Sequence, residues 1–227
     1  MVLADWQTVS KKLSNTTKQA KGPNAKELAK EIELLEKLNK QLEAGHPARQ
    51  LEYNEDELEI LQHLHLLTMK PMMYVVNCSE QGSVDNQQIV IEEGVPHVYV
   101  CAKLEAELAE LSDEESKEYM ADLGITESGL DKIIVAGYKL LNLLTYFTAG
   151  VQEVRAWTVT KGAKGPEAAG VIHTDFIKGY IKADVANWKN FVECGGWTGV
   201  KELGKMQLVG KEYEVKDGDV IYFHVST

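Results

Sequence analysis

Two short apolar runs limit most tightly how this chain can fold: Met72-Met73-Tyr74-Val75-Val76, and residues 95–101 ending at Cys101. Runs of this length without polar alternation fit strands that are covered on both faces. Between them lies a polar, weakly helical stretch, residues 85–93. Parallel strands cannot be joined by a tight turn and need a crossover, commonly a helix, so this spacing reads as a βαβ unit of a parallel sheet. The middle of the chain is therefore expected to be α/β.

The flanks have different characters. Trp6, Val9 and Leu13 fall at helical spacing over residues 4–13, and Gly22-Pro23-Asn24 then breaks the chain. Leu28, Ile32, Leu35, Leu38 and Leu42 form the apolar stripe of a second helix, opposite Lys26, Glu33, Lys37 and Lys40. Two amphipathic helices joined by a short turn are expected to lie antiparallel, each covering the other's stripe. Gly45-His46-Pro47 ends the second helix, and Asn54 ahead of Glu55-Asp56-Glu57 caps a third that extends to Leu67. Past the central runs, a helix over 105–111, a capped helix opening at Ser112-Asp113-Glu114-Glu115, and a longer helix over 128–143 are expected.

The last third is β-rich. Residues 151–160 carry many β-branched and aromatic side chains, and a Gly-Pro loop and a His-x-Asp turn follow. Residues 205–209 and 211–215 flank Gly210, while Lys216-Asp217-Gly218-Asp219 marks a turn before a strand over 220–225. A lone helix over 188–194 interrupts these strands. A mixed sheet wrapping one helix is the β-grasp pattern.

Net charge is −11, which disfavours indiscriminate binding to phosphate backbones, since that affinity comes from Lys and Arg neutralising phosphates. The acid is concentrated in the helices, so nucleic-acid contact is expected from local basic faces: Lys11, Lys12, Lys18, Lys21, Lys26 and Lys30 on the hairpin, and Arg155, Lys161, Lys164, Lys178, Lys182 and Lys205 downstream. The competing reading is that these merely solvate two exposed faces. No apolar run reaches the roughly 20 residues a membrane helix needs, and the N-terminus has no basic n-region or apolar h-region. A cytoplasmic location without membrane association is the expectation. Cys78, Cys101 and Cys194 have no C-x-x-C spacing, so reduced thiols are expected rather than a zinc site or a disulfide framework.

The candidate site lies at the ends of the two central runs. Asn77-Cys78-Ser79-Glu80 follows the first and Cys101-Ala102-Lys103 the second, where open α/β sheets place ligand contacts. Each also reads as an ordinary solvated strand end. His173 and Asp175, two apart in an extended segment with no third ligand nearby, read as turn residues rather than a metal site. His63 and His65 lack the i, i+4 spacing of a chelating helix pair. Trp6, Trp157, Trp188 and Trp197 are scattered and read as packing residues. No G-x-x-x-x-G-K-S/T occurs anywhere in the sequence, so nothing in it can cradle phosphates and position Mg²⁺. No catalytic residue and no metal ligand are assigned.

Tyr146-Phe147-Thr148-Ala149-Gly150, Val154-Arg155-Ala156-Trp157 and the run from Ala168 through His173-Thr174-Asp175-Phe176 resemble the entry to the TGS domain of Obg-like ATPases of the YchF subfamily. Residues 3–225 resemble the C-terminal two-thirds of such a protein. The resemblance implies an α/β multidomain chain: a helical hairpin (coiled-coil) insertion over 1–69, a partial P-loop NTPase-type sheet over 70–143 that is the returning half of the nucleotide-binding domain, and a ubiquitin-like β-grasp TGS domain over 144–227. It makes Asn77, Cys78 and Glu80 an Asn-x-x-Glu loop reading adenine in place of guanine. It likewise makes Cys101, Ala102 and Lys103 the counterpart of a Ser-Ala-Lys loop that buttresses the base, with cysteine replacing the serine hydroxyl. The family implies ATP or GTP with Mg²⁺ in the complete protein, ribosome association and RNA contact; no DNA partner is expected. This sequence, without the phosphate loop, is expected to be a fragment of a ribosome-associated ATPase that binds no nucleotide tightly. The alternative is a stand-alone TGS and helical module engaging ribosome or RNA without hydrolysis.

Overall fold

The computed structural model describes residues 1–20, 25–79, 94–150 and 153–226, and divides into two compact units, Met1–Met72 and Met73–Thr227.

In the first unit, α1 (Val2–Gln19) extends past the expected 4–13, and α2 (Ala25–Glu43) spans its leucine stripe. They run antiparallel: Ser10 donates to Asn39 at 2.6 Å and Lys12 pairs with Glu31 at 2.8 Å. Val9, Leu35 and Leu38 are fully buried between them, as the periodicity predicts. The expected Gly22-Pro23-Asn24 break lies outside the described residues. Gly45 (φ +87°) ends α2 in a Schellman arrangement, with the N–H of His46 on the Gln41 carbonyl and that of Gly45 on Leu42. The third helix, α3 (Glu55–Gln62), opens on Asn54 with a reciprocal Glu57 cap. It stops well short of Leu67, because His65 adopts a left-handed φ of 49° and the chain re-forms as a 3₁₀ turn, Leu67–Met69.

That turn is pinned by Asp5 of α1. The Asp5 carboxylate accepts the Leu67 N–H at 2.9 Å, the Thr68 N–H at 2.7 Å and the Thr68 hydroxyl at 2.6 Å. Thr68 Oγ1 in turn accepts the N–H of Ala48 at 3.0 Å. A carboxylate can be buried this deeply because each of its oxygens is hydrogen-bonded.

In the second unit, β1 (Tyr74–Asn77) and β2 (His97–Val100) pair in parallel, with Tyr74 opposite His97 and Asn77 opposite Val100. The crossover stretch, 85–93, lies outside the described residues. The expected burial on both faces is not met: Val76 and Val100 are buried, whereas Val75 and Tyr99 are 50% and 46% exposed. Alternation along a strand sends neighbours to opposite faces, and within this unit only one face is packed. α4 (Ala102–Leu108) and α5 (Asp113–Asp122) follow, α5 with the expected Ser112–Glu115 cap. α6 (Gly129–Leu140), capped by Ser128, comes so close to β2 that a Cβ on Gly129 would lie 2.6 Å from Val100 Cγ1. α6 ends before residue 143 because Asn142 turns left-handed (φ 53°) into β3.

β3 (Leu143–Ala149) and β4 (Val154–Thr160) form an antiparallel hairpin, followed by α7 (Gly165–Ile172), α8 (Asp175–Gly179), β5 (Tyr180–Asn187), α9 (Trp188–Glu193), α10 (Trp197–Glu202), β6 (Gln207–Val209) and β7 (Asp219–Val225). The five-stranded sheet has the order β4-β3-β7-β5-β6. Its first and last strands, β3 and β7, lie parallel side by side, and the other pairs are antiparallel.

Three sequence expectations change here, and one strand is added. The Gly-Pro loop is the first turn of α7: Pro166 sits where no N–H is needed, Glu167 caps the N–H of Lys164 at 2.7 Å, and Ala168 and Ala169 are fully buried. α9 is not alone, because Gly195 and Gly196 (φ +73° and +103°) turn the chain into α10. Residues 211–215 form no strand and make only the Lys164–Glu214 bridge. β5, which the sequence does not single out, sits between β7 and β6. The core joins α7 to Leu144, Tyr146, Val159, Ala183, Val185 and Ile221. The Tyr146 hydroxyl donates to the Ala168 carbonyl at 2.8 Å, and burial holds that phenol well above its ordinary pKa.

Candidate functional site

The two loops singled out in the sequence meet at the C-terminal ends of β1 and β2. Asn77 ends β1, and its side-chain oxygen accepts the N–H of Ala102, the first residue of α4, at 3.0 Å. The N–H of Cys78 donates to the Val100 carbonyl at 2.9 Å, extending the strand ladder by one step. Asn77 therefore ties one loop to the other across the parallel pair. Cys101 occupies the N-cap position of α4 without a side-chain capping bond, and the Lys103 ammonium lies 3.7 Å from Glu107 one turn on. Both thiols are half-buried, while Asn77, Ala102 and Lys103 are exposed. Glu80 lies outside the described residues.

One supporting residue is not legible from the sequence. The Glu105 carboxylate accepts the Gly129 N–H at 2.7 Å and the Leu130 N–H at 3.1 Å. It caps the first two N–H groups of α6 alongside Ser128, which takes the N–H of Asp131 at 3.0 Å, and fixes α4 against α6, so the loop carrying Cys101, Ala102 and Lys103 rests on a doubly anchored helix. A Glu one turn into a helix reads locally as a solvated acid, and only tertiary packing supplies its partners.

The other candidates separate cleanly. His173 Nδ1 accepts the N–H of Asp175 at 3.2 Å, a turn-stabilising bond. Among the described residues no group of three His, Cys, Asp or Glu is placed to hold a metal ion, and the three cysteines are free. No helix among the described residues is long and apolar enough to cross a membrane. Several lysines of the basic faces have acidic neighbours: Lys12 with Glu31, Lys30 with Asp56 at 4.0 Å, Lys164 with Glu212, and Lys205 with Glu193 at 3.7 Å. Arg155 lies over the Trp157 ring, 4.3 Å from its centroid. Lys21 lies outside the described residues.

A parallel strand pair with its following loops tied together, and a separate mixed five-stranded sheet, make this a mixed α/β protein. The solved structure of the Schizosaccharomyces pombe YchF GTPase superposes with a TM-score of 0.83 at 33% identity, over 98% of this chain and 63% of that one. The family model YchF-GTPase_C, described as "Protein of unknown function (DUF933)", matches residues 143–226, from the first residue of β3 past the end of β7. The chain is 46% identical over 232 aligned positions to the ribosome-binding ATPase YchF of Bacillus subtilis, covering 98% of this chain. It is 47% identical over 229 positions to the ribosome-binding ATPase YchF of Escherichia coli O157:H7, with the same coverage. The chain belongs to the YchF family. It spans 63% of the length of these curated relatives.

Proposed function

We propose that this chain carries the base-recognition loops and the ribosome-contacting modules of a YchF-type ATPase acting in the cytoplasm. The observation that carries the reading is the Asn77–Ala102 hydrogen bond, which joins the two loops expected to face a purine at the mouth of a parallel sheet. In this reading Asn77, Cys78, Glu80, Cys101, Ala102 and Lys103 surround the base of ATP or GTP. The bound nucleotide supplies the phosphoryl group for transfer. No G-x-x-x-x-G-K-S/T occurs in this sequence, so no step of hydrolysis is assigned to this chain. Residues 1–69 serve as the helical hairpin insertion, 70–143 as the returning half of the nucleotide-binding domain and 144–227 as a TGS domain of β-grasp type. The sheet order supports the last assignment, with first and last strands parallel at its centre and α7 packed across one face.

Ribosome contact is assigned to the basic faces, with RNA as the surface met there. Lys161 and Lys178 in the sheet unit, and Lys11, Lys18 and Lys26 in the hairpin, carry no acidic neighbour among the described salt bridges, so their charge is available for counterion release. Co-sedimentation with ribosomes over a salt series tests this. Replacing Lys161 and Lys178, or the three hairpin lysines, by Glu should weaken binding and flatten its salt dependence. Unchanged sedimentation for both sets would remove the basic faces from the reading.

A further inference from the structure

The sheet unit has a cleft on the face opposite α7 that the nucleotide and ribosome readings leave unused. It occupies about 740 Å³ and is lined by Asp184, Trp197, Lys201, Glu202, Met206 and Tyr222. Its walls are two aromatic rings. Trp197 opens α10, and its position is fixed by the indole N–H donating to the Ala149 carbonyl at 2.8 Å and by Phe191 packed edge-on at 5.0 Å. Tyr222 projects from β7, half exposed, with its ring centroid 6.3 Å from that of Trp197 and the planes at 73°. Two rings held nearly perpendicular form a corner that encloses a compact group better than it sandwiches a flat stack.

The charged groups that line the corner are two anions and one cation, with Thr198 as a neutral polar neighbour. Asp184 lies directly across from Tyr222 in the β5–β7 register. One of its carboxylate oxygens holds His224 Nε2 at 2.7 Å, which leaves acceptor capacity on the other. Glu202 is exposed on α10 and forms no ion pair among the described residues. Lys201 is the one cation in the lining.

We infer that this corner binds an arginine side chain from a basic segment of a protein partner. A guanidinium is planar, weakly hydrated, stacks on indole and phenol faces, and bonds a carboxylate through a fixed fork. This chain already makes such a contact internally, between Arg155 and Trp157. Asp184 and Glu202 outnumber Lys201, so a phosphate-bearing guest meets net repulsion where a cation meets attraction. The inference does not rest on the nucleotide or ribosome assignments.

The full chain, labelled with ¹⁵N, is titrated with a Gly-Arg repeat peptide and, separately, with single-stranded oligouridine, following the Trp197 indole N–H and the Tyr222 amide. The Arg peptide should shift both signals saturably. Tyr222→Ala and Glu202→Gln should each weaken it by about 2- to 5-fold, the scale of an exposed cation–π contact for the first and of an exposed ion pair for the second, whereas Tyr222→Phe keeps the affinity. Lys201→Gln should tighten the peptide. Glu118→Gln and Asp122→Asn on α5 serve as charge-matched controls and should leave the affinity unchanged. The proposal is overturned if the controls weaken the peptide as much as Glu202→Gln does, since that is general attraction to an acidic chain. It is also overturned if the peptide leaves Trp197 unshifted. A saturable shift with oligouridine that Lys201→Gln weakens would assign the cleft to an unpaired base instead.

Discussion

Asp5→Ala is expected to destabilise the Met1–Met72 unit by about 3 kcal/mol, because the lost contacts are deeply buried and have no substitute acceptor. Asp5 is 3% exposed and its partner Thr68 is 1% exposed. Truncation leaves the Thr68 N–H and hydroxyl without their acceptor, and each buried unsatisfied donor costs about 1–3 kcal/mol. The Leu67 N–H adds little, since Leu67 is 42% exposed and water can reach it. Relief of the carboxylate's own desolvation offsets part of the total. Asp5→Asn keeps one carbonyl acceptor and should cost about half as much. Urea unfolding gives the free energies, and hydrogen exchange over residues 60–72 localises the effect, because the turn should open before the α1–α2 stripe. A double-mutant cycle with Thr68→Val should show strong non-additivity, as both changes break one network. An Asp5→Ala protein within about 0.5 kcal/mol of the parent, well below the cost of even one buried unsatisfied donor, would refute the assignment of this carboxylate as the anchor of the Leu67–Met69 turn.

Glu105→Gln keeps one acceptor for two N–H groups and should cost about 1 kcal/mol, seen as faster exchange of the Gly129 and Leu130 amides; unaltered exchange there would dismiss the α4–α6 anchor. Gly218→Ala should destabilise the sheet unit by about 1–3 kcal/mol, read as a lower melting temperature. Gly218 has φ +79° and an added Cβ would lie 2.5 Å from Trp188 Cδ1, so an unchanged melting temperature contradicts the close approach. Burial raises the pKa of Asp219 above the ordinary 3.8, against opposing hydrogen bonds from Lys216 and Tyr213. The native carboxyl therefore keeps its proton to higher pH than the unfolded chain does. Its contribution to stability is fully present below pH 3.8 and is lost as pH rises through the folded value. The unfolding free energy of the parent relative to Asp219→Asn should fall with rising pH in that window and level off above it; a flat difference would count against the shift.

What the sequence determined by itself is what neighbouring residues decide together. The leucine stripe of α2, the Asn54–Glu57 and Ser112–Glu115 caps and the parallel pairing of β1 with β2 all follow from spacings within a few turns or one crossover. The location of Asn77 and Cys101 at strand ends follows from them too. Tertiary structure decided the rest. Asp5 reads as a solvated first-turn acid until a turn 62 residues away closes on it. Gly165-Pro166 reads as a loop until Ala168 and Ala169 find a core, and Val75 and Tyr99 read as interior until only one face of their strands is packed. The Asn77–Ala102 bond depends on a strand register, and the corner of Trp197 and Tyr222 on where the Gly195-Gly196 turn brings the start of α10. A local pattern reports which face of an element is apolar. Which partner covers that face, and which polar groups are buried by it, depends on residues far apart in the chain whose contacts exist only once the chain has folded.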